Sequence, residues 1–225
     1  MLGRMVGKRR YDEGCAVAHA LDLVGERWAL LIVRELLLGP KRFTDLRVGM
    51  PGASADILAQ RLRELTDAGV VRRKKLPPPA ASEVYELTEW GNDLEPIVTH
   101  LGRWGSRSAS LNPEADSSVD SIVLSLRALF DAKVAQRFSA TIGLRLSGND
   151  FTIGIDSGEL QLARAEADHP DATLDTDRST LAALLYGGRP VDDAVAAGDL
   201  TITGKTDVIK RFLRLFPLPD PVGAH

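Results

Sequence analysis

Apolar residues recur at intervals of three and four through the N-terminal half of the chain, which is the spacing of one face of an α-helix. The pattern predicts helices over residues 15–25, 26–38, 42–48, 54–68 and 89–105. The second of these segments is apolar on nearly every side, as is typical of a central helix. We therefore expect a helical bundle built around residues 26–38.

The helix predicted over 54–68 is followed by the pattern of a β-hairpin. Ser54 fits the N-cap of this helix and Gly69 suits the position just after it. The inward face of the helix is predicted to hold Ile57, Leu58, Leu62 and Leu65. A strand over 70–76, three prolines at 77–79 and a returning strand over 84–87 follow, with the prolines at an exposed tip because they cannot donate ladder hydrogen bonds. This order of parts predicts a winged helix-turn-helix.

Two predicted helices carry apolar stripes that suit packing against another helix. The first, over 15–25, has an apolar face made of Val17, Ala20, Leu21 and Val24. The second, over 89–105 and capped by Thr88, has a stripe made of Leu94, Ile97, Val98, Leu101 and Trp104. Either stripe can bury itself in its own domain or against a partner.

The apolar period changes from near four to two after a polar segment at 106–118 and a helix predicted over 119–134. Strands are expected around residues 140–147, 151–155, 160–163, 172–174 and 200–203, with a turn at Asn149 and Asp150. Helices are expected over 181–186, 191–197 and 208–216. Strands framed by helices indicate an α+β domain, so the fold class is mainly α combined with α+β.

These patterns divide the chain into five parts. We predict an N-terminal extension over 1–14, a winged-helix domain over 15–105, a linker over 106–118, an α+β domain over 119–217 and a tail over 218–225. A length of 225 residues is comfortable for two domains.

Charge is distributed unevenly between the two halves. The net charge is −3, but residues 1–110 hold 17 Lys and Arg against 14 Asp and Glu, whereas residues 111–225 hold 11 against 17. An acidic protein can still bind DNA where its positive charge is local. No apolar run approaches the roughly 20 residues of a membrane span, and the first residues lack the features of a secretory signal. Cys15 is the only cysteine, so a reducing cytoplasm is the natural setting.

The second helix of a helix-turn-helix reads base edges with its first turns, and the wing contacts phosphates. The residues that we expect on DNA are Ser54, Ala55, Asp56, Gln60, Arg61 and Arg63 in the helix, and Arg72, Arg73, Lys74 and Lys75 in the wing. Arginine can pair with guanine or phosphate and glutamine with adenine, while Asp56 either favours a cytosine amino group or stabilises the helix N-terminus. The alternative for Arg61 and Arg63 is a solvated helix on which they pair with Glu64 or Asp67.

Three segments together resemble a known family. They are CAVAHALDLVGERWALLIVRELLLGPKRFTDLR, AQRLRELTDAGVVRR and VYELTEWGNDLEPIVTHLGRWG, and they are similar to the HxlR-type winged-helix regulators of bacteria over about residues 15–106. The resemblance implies a cytoplasmic homodimer that recognises operator DNA and is built from the first helix and the helix over 89–105. Asp56 and Ala59 depart from the basic or polar residues common early in the family's recognition helix, which leaves the base contacts open.

Cys15 stands at the start of a predicted helix, where the helix dipole favours a thiolate. Lys8, Arg9 and Arg10 can assist, Asp12 and Glu13 oppose them, and His19 can share the face of Cys15. A cysteine at this place resembles the family's redox- and electrophile-sensing members. The alternative, a small packing residue, is the one that we favour.

The C-terminal half resembles sterol carrier protein type 2-like lipid-binding domains, most specifically in the segment YGGRPVDDAVAAGDLTITG. The resemblance implies an apolar cavity between sheet and helices. Its lining would come from Ile142, Leu144, Phe151, Ile153, Leu181, Leu184, Leu185, Val195, Phe212 and Phe216. The alternative for each of these residues is plain core.

Signatures of an enzyme, a metal site or a cofactor site do not emerge from the sequence. The four histidines are scattered, no GxSxG motif occurs, and GDLTITGKT at 198–206 has five residues between its glycines where a phosphate loop needs four. We therefore expect a regulator switched by an apolar small molecule or lipid in the second domain. Two alternatives are a regulator switched through Cys15, and a lipid carrier that its N-terminal part merely dimerises.

Overall fold

The computed structural model describes residues 11–78, 81–112 and 115–223. The chain forms two compact units, Met1–Leu94 and Glu95–His225. The division falls inside the region 89–105, where the apolar stripe predicts one continuous helix.

The first unit is a small helical bundle with a two-stranded hairpin. Its elements are α1 (Ala16–Val24), α2 (Ala29–Leu36), α3 (Phe43–Gly49), α4 (Ala55–Asp67), β1 (Val71–Lys75), β2 (Glu83–Leu87) and α5 (Glu89–Asn92). The strands are antiparallel and pair from Val71 opposite Leu87 to Lys75 opposite Glu83. The backbone of Lys41 adds a further bridge to the hairpin by exchanging hydrogen bonds with Tyr85. This arrangement is a winged helix-turn-helix in which α4 is the second helix of the motif, and it confirms the prediction.

The core of this unit comes from three helices. Ile32 of α2, Leu46 of α3, and Leu58 and Leu62 of α4 have no measurable exposure to solvent. Three residues of the predicted apolar faces are on the surface: Val17 is 67% exposed, Leu21 is 43% exposed and Ile57 is 40% exposed. The inward position predicted for Ile57 is therefore wrong, because α4 buries a narrower strip than the spacing suggests. Val17 and Leu21 lie on the α1 stripe, for which the sequence also allows packing against a partner.

The central helix is shorter than predicted. It spans Ala29–Leu36 rather than 26–38, because Trp28 adopts a left-handed backbone conformation with φ of 79° and cannot belong to a right-handed helix. Such a conformation is strained for a bulky residue and persists only where the surroundings hold it. The indole ring packs over Gly52, at which a Cβ atom would lie 2.9 Å from the ring.

The helix predicted over 89–105 is interrupted. α5 ends at Asn92 and α6 begins at Glu95, because Pro96 lacks the N–H that would continue the helical ladder and restricts the residue before it. Thr88 caps α5 as predicted, since its hydroxyl oxygen accepts a hydrogen bond from the Gly91 N–H at 3.0 Å.

The second unit is an α+β domain, as predicted. Its helices are α6 (Glu95–Gly105), α7 (Val119–Leu129), α8 (Ala132–Ala135), α9 (Arg178–Leu185), α10 (Val191–Ala196) and α11 (Thr206–Phe212), followed by a 3₁₀ turn over Leu213–Leu215. Its strands are β3 (Ala140–Leu146), β4 (Asn149–Asp156), β5 (Glu159–Ala163), β6 (Ala172–Thr176) and β7 (Leu200–Gly204). They form one sheet in the order β5-β4-β3-β6-β7, in which only the β3–β6 pair is parallel.

One face of this sheet is apolar and the other is polar. Ile142 lies opposite Ile153 and Leu144 opposite Phe151, and all four are buried. The alternate residues, such as Arg145 and Asp175, are exposed and form an ion pair. A sheet with one solvated face needs only one covering layer, which the helices of this unit supply.

Three boundaries differ from the sequence prediction. The hairpin of β3 and β4 turns at Ser147 and Gly148, which both have positive φ as a type I′ turn requires. The turn predicted at Asn149 and Asp150 is wrong, because these residues begin β4. The helix predicted over 119–134 separates into α7 and α8, because Phe130 leaves the helical conformation with ψ of 127°. The last predicted helix ends at Phe212 and tightens into the 3₁₀ turn.

Among the residues that the structure describes, no helix is long and apolar enough to cross a membrane.

Candidate nucleic-acid interface

The exposed face of α4 is the first part of the candidate interface. The hydroxyl oxygen of Ser54 accepts a hydrogen bond from the Ile57 N–H at 3.3 Å and so fixes where the helix begins. Leu58, Leu62 and Leu65 anchor the opposite side in the core. The side chains left at the surface include Asp56, Ile57, Gln60 and Arg63, and Ala55 is half-buried beside them.

Arg61 does not belong to this exposed face. Its Nη2 lies 3.1 Å from a carboxylate oxygen of Glu26, its Nε donates to the Arg27 carbonyl at 3.2 Å, and its Nη1 pairs with Glu64. The side chain retains only 15% of its exposure. The alternative of pairing with Glu64 therefore holds for this residue, and the contacts also tie α4 to the turn between α1 and α2.

Gln60 and Arg63 remain available to a ligand. The Gln60 amide donates to Glu64 at 3.0 Å, a bond between exposed groups one helical turn apart. Arg63 is exposed and, within the described part of the chain, it makes no hydrogen bond or ion pair with another described residue. The pairing of Arg63 with Glu64 or Asp67 that the sequence allows is thus not formed here.

The wing strand β1 places its four basic residues alternately. Arg72 and Lys74 reach across to Glu86 on β2, at 2.7 Å and 3.1 Å, while keeping 62% and 50% of their side-chain exposure. Burial raises the pKa of Glu86, but hydrogen bonds from Arg72 and Lys74 and their charges outweigh that effect, so the pKa lies below its ordinary value. One carboxylate therefore offsets part of the positive charge of the wing.

The other two basic residues of the wing occupy its opposite side. Arg73 stacks on Tyr85, with its guanidinium carbon 5.4 Å from the ring centroid, and Lys75 is exposed opposite Glu83. Pro77 and Pro78 are exposed beyond the strand, as expected of a wing tip, and Pro79 lies outside the described residues.

A buried carboxylate joins the helices to the wing. Glu35 of α2 is fully buried, and its two oxygens accept from Arg34 at 2.8 Å and from the Lys41 ammonium at 2.6 Å. Glu35 also packs against Gly49 of α3, where a Cβ atom would collide with the carboxylate. Because the backbone of Lys41 bonds to Tyr85 of β2, this pair links α2 to the base of the wing.

Sequence reasoning did not identify Glu26, Glu35 or Glu86 as parts of this site. Glu26 and Glu86 hold basic side chains that the sequence predicts to contact DNA, and Glu35 holds Lys41, whose backbone bonds to β2. The sequence gives a weak indication of a buried ion pair at Glu35. This residue interrupts an otherwise apolar segment, so it must either leave the core or pair with a cation there.

Cys15 is the N-cap residue of α1 and is exposed. The backbone N–H groups of Ala18 and Val17, in the first turn of α1, lower the pKa of the thiol. The side chain of Cys15 therefore does not pack into the core of its own unit. The basic residues at 8–10 that were expected to assist lie outside the described residues.

The predicted lining of the C-terminal domain is largely interior. Buried are Ile142, Leu144, Phe151, Ile153, Leu181, Leu184, Phe212 and Phe216, while Leu185 is half-buried and Val195 is 45% exposed. Val195 thus faces away from the core. The segment 198–206 forms strand β7 and its exit, consistent with the rejection of a phosphate loop.

Comparison with known sequences agrees with the assignment of α4 and the wing to a winged helix-turn-helix. The profile of the HxlR-like helix-turn-helix family covers residues 23–113. YdeP, an HTH-type transcriptional regulator of Bacillus subtilis, is 38% identical over 98 residues, which are 42% of this chain and 74% of that one. The chain belongs to the HxlR-like helix-turn-helix family. It is accordingly a DNA-binding transcription regulator.

Other relatives of this HxlR-like regulator cover a similar share of it. YodB of Bacillus subtilis, an HTH-type transcriptional regulator, is 36% identical over 88 residues, which are 39% of this chain and 79% of YodB. The solved structure of the redox regulator HypR in its oxidized form is 33% identical, covers 43% of this chain and all of that one, and has a TM-score of 0.40.

The second unit of the regulator matches a different family. The profile described as alkyl sulfatase C-terminal covers residues 116–222, close to the extent of the α+β domain. The resemblance to sterol carrier protein type 2 drawn from the sequence is thereby replaced, since this profile is the one that matches the C-terminal residues.

Proposed function

We propose that this HxlR-like protein is a cytoplasmic homodimer that binds operator DNA through α4 and the wing. The observation that carries the proposal is the pairing of an exposed, capped α4 with a hairpin that displays Arg72, Arg73, Lys74 and Lys75. An α-helix fits into the major groove, so α4 can present its side chains to the base edges there. The wing supplies cations for the flanking phosphates.

Exposed apolar side chains support the dimer. On α1, Val17 and Leu21 are 67% and 43% exposed, and on α6, Ile97, Leu101 and Trp104 are 54%, 48% and 73% exposed. Residues at such spacing share one face of a helix, and each face is wide enough to pack against a second copy. Half-sites one helical turn apart would then face two α4 helices about 34 Å apart.

DNA binding is tested by reversing charge on the wing. In the double variant Arg73→Glu and Lys75→Glu we expect retention on promoter DNA at low salt to be lost, because two cations near phosphate become anions. The matched control is Lys133→Glu on α8 of the second unit, which should bind as wild type does. Equal retention of the wing variant and the control would contradict the proposal.

We further propose that the α+β domain takes an apolar ligand with an alkyl chain and thereby alters operator affinity. Support comes from the apolar sheet face around Ile142 and Phe151 and from the match to an alkyl sulfatase C-terminal family. A ligand can shift operator affinity only if it binds the DNA-competent and incompetent states unequally. A small rotation between subunits would suffice, since two half-sites fix the helix separation.

The effector proposal is tested by titrating dodecyl sulfate below its micellar range, decanoate and a steroid while operator affinity is measured by fluorescence anisotropy. We expect one of them to change affinity at least fivefold, the lower end of usual allosteric coupling. Leu144→Ala keeps the site apolar and should weaken the response, and a thermal melt checks that the variant is folded. Binding of each probe without any change in operator affinity would contradict the coupling.

A second candidate mechanism is a switch at Cys15, favoured by its exposure and lowered thiol pKa. Oxidation by a peroxide to a sulfenic acid, or alkylation, would then alter DNA binding. The test compares wild type with Cys15→Ser after hydrogen peroxide or iodoacetamide treatment. Loss of binding in wild type alone supports the switch, whereas equal responses in both proteins exclude it.

A further inference from the structure

Ile57 is the one large apolar side chain of α4 that the fold leaves exposed. The helix buries Leu58, Leu62 and Leu65, whereas Ile57 keeps 40% of its surface in solvent. It is the third residue after the Ser54 cap, in the first turn of the helix. The first turns of the second helix are the part of a helix-turn-helix that approaches base edges.

The position of Ile57 on the helix puts it beside the polar residues of the same face. Residues three apart in a helix are separated by about 60° around the axis and by about 5–6 Å between Cβ atoms. Ile57 and Gln60 have this relationship, so they project as neighbours. This part of α4 therefore offers an aliphatic group for apolar contact beside an amide for hydrogen bonding.

Arg61, the basic residue nearest to Ile57 on α4, is not available to contact DNA bases. Arg61 is one turn beyond Ile57, and its guanidinium is held by Glu26, Glu64 and the Arg27 carbonyl. This part of the helix therefore presents an apolar group and not a cation to a ligand.

The major groove offers one apolar group at its base edges, the C5 methyl of thymine. We infer that Ile57 is a specificity-determining residue that packs against a thymine methyl in each half-site of the operator. Because Gln60 is its neighbour and pairs well with adenine, a second A·T pair lies within one or two base pairs of the pair that holds this thymine. The inference rests on the proposed DNA binding and adds the chemistry that α4 recognises.

The experiment uses the full-length protein and an operator selected from a pool of random duplexes. Each thymine of that operator is replaced in turn by deoxyuridine, which keeps its base pairing and loses only the C5 methyl. Affinities of wild type, Ile57→Ala and a control, Val134→Ala, are measured for every duplex. Val134 is a suitable control because it is 55% exposed on α8 of the second unit.

At one thymine per half-site, we expect the replacement to weaken wild-type and Val134→Ala binding about fourfold, as the loss of one buried methyl implies. Ile57→Ala should bind both duplexes equally and as weakly as wild type binds the uridine duplex, or more weakly. Alanine is a good helix former, so this exposed substitution keeps the fold, and a thermal melt checks that. Ile57→Val should retain most of the discrimination.

Two outcomes would overturn the inference. If uridine weakens binding by Ile57→Ala as much as binding by wild type, or if no thymine is sensitive in wild type, Ile57 does not read a methyl. In either case the selected operator would still uphold DNA binding. If the selection returns no operator at all, the proposed function fails and the inference fails with it.

Discussion

The guanidinium of Arg61 on α4 lies 3.1 Å from the carboxylate of Glu26 in the turn that precedes α2. The two residues are far apart in the sequence, yet this pair and the bond from Arg61 to the Arg27 carbonyl fix the rotation of α4 about its axis. Arg61 therefore positions the exposed face of α4, while Arg63, two residues on, is exposed to solvent.

Replacing Arg61 and Arg63 separately should distinguish these roles. Arg61→Ala removes charge-assisted hydrogen bonds at a part-buried site, so we expect the free energy of unfolding to fall by about 1–3 kcal/mol. Its binding to all DNA sequences should weaken. Arg63→Ala should unfold at the wild-type denaturant concentration and lose affinity for DNA. Identical unfolding curves for the two variants would contradict a positioning role for Arg61.

Breaking the buried pair of Glu35 and Lys41 should loosen the base of the wing. Glu35→Gln removes the buried charge that faces the part-buried ammonium of Lys41, and we expect a loss of about 3 kcal/mol in urea unfolding. Because the Lys41 backbone holds Tyr85, hydrogen exchange at the Tyr85 N–H should become faster. Glu83→Gln on the exposed side of β2 is the control, with an expected change within about 0.5 kcal/mol. Unchanged exchange at Tyr85 in the Glu35 variant would refute the link.

Removing the charge of Glu86 should strengthen non-specific DNA binding. In Glu86→Gln, Arg72 and Lys74 lose their counter-charge and become free for phosphates. Each added phosphate contact steepens the dependence of log affinity on log salt by about 0.9. In filter binding, we expect the slope of log affinity against log salt to steepen by the amount for one or two added phosphate contacts. Glu83→Gln is the matched control. A slope equal to that of wild type would show that the carboxylate does not compete with DNA.

The carboxylate of Glu86 should also make the stability of the protein depend on pH in acid. Hydrogen bonds from Arg72 and Lys74 hold the pKa of Glu86 below its ordinary value of 4.5, against the raising effect of burial. A lowered folded-state pKa stabilises the protein above the unfolded-state value and loses that effect as pH falls through the folded-state pKa. The stability difference between wild type and Glu86→Gln should therefore shrink as the pH drops below about 4.5. A difference independent of pH across this range would argue against the pairing.

Tyr186 should make the second unit sensitive to alkali. Burial raises the pKa of Tyr186 to about 12, although the hydrogen bond with Ser125 at 2.6 Å lowers it somewhat. Its contribution to stability is complete below the ordinary value of 10.0 and declines as pH rises towards about 12, because the unfolded chain ionises first. Tyr186→Phe should lose about 1 kcal/mol at neutral pH and decline less above pH 10. Parallel pH profiles for the two proteins would contradict this.

The parts of the fold that sequence patterns predict are those decided by neighbouring residues. The Ser54 cap, the Gly69 stop and the basic strand after it specify α4 and the wing locally, and the structure places them where the pattern does. The change of apolar period near residue 140 likewise marks the sheet.

The parts that sequence patterns miss depend on distant partners or on backbone strain. Arg61 fits a base-contacting position in the sequence, and only the fold brings Glu26 beside it. Glu35 interrupts an apolar segment, but only the fold shows that Lys41 is the cation that it meets. Ile57 fits an inward spacing, but the helix buries only the strip around Leu58 and Leu62. The left-handed turn at Trp28 carries no composition signal, since glycine is the usual residue there.

The turn at Trp28 has a consequence for how the molecule can be altered. Glycine at position 28 would relieve the backbone by about 1 kcal/mol or more, yet it would delete the indole that covers Gly52. A larger residue at position 52 would in turn displace the indole. Engineering or drift that changes one of these two sites must therefore change the other, and libraries that vary them singly will find few acceptable solutions.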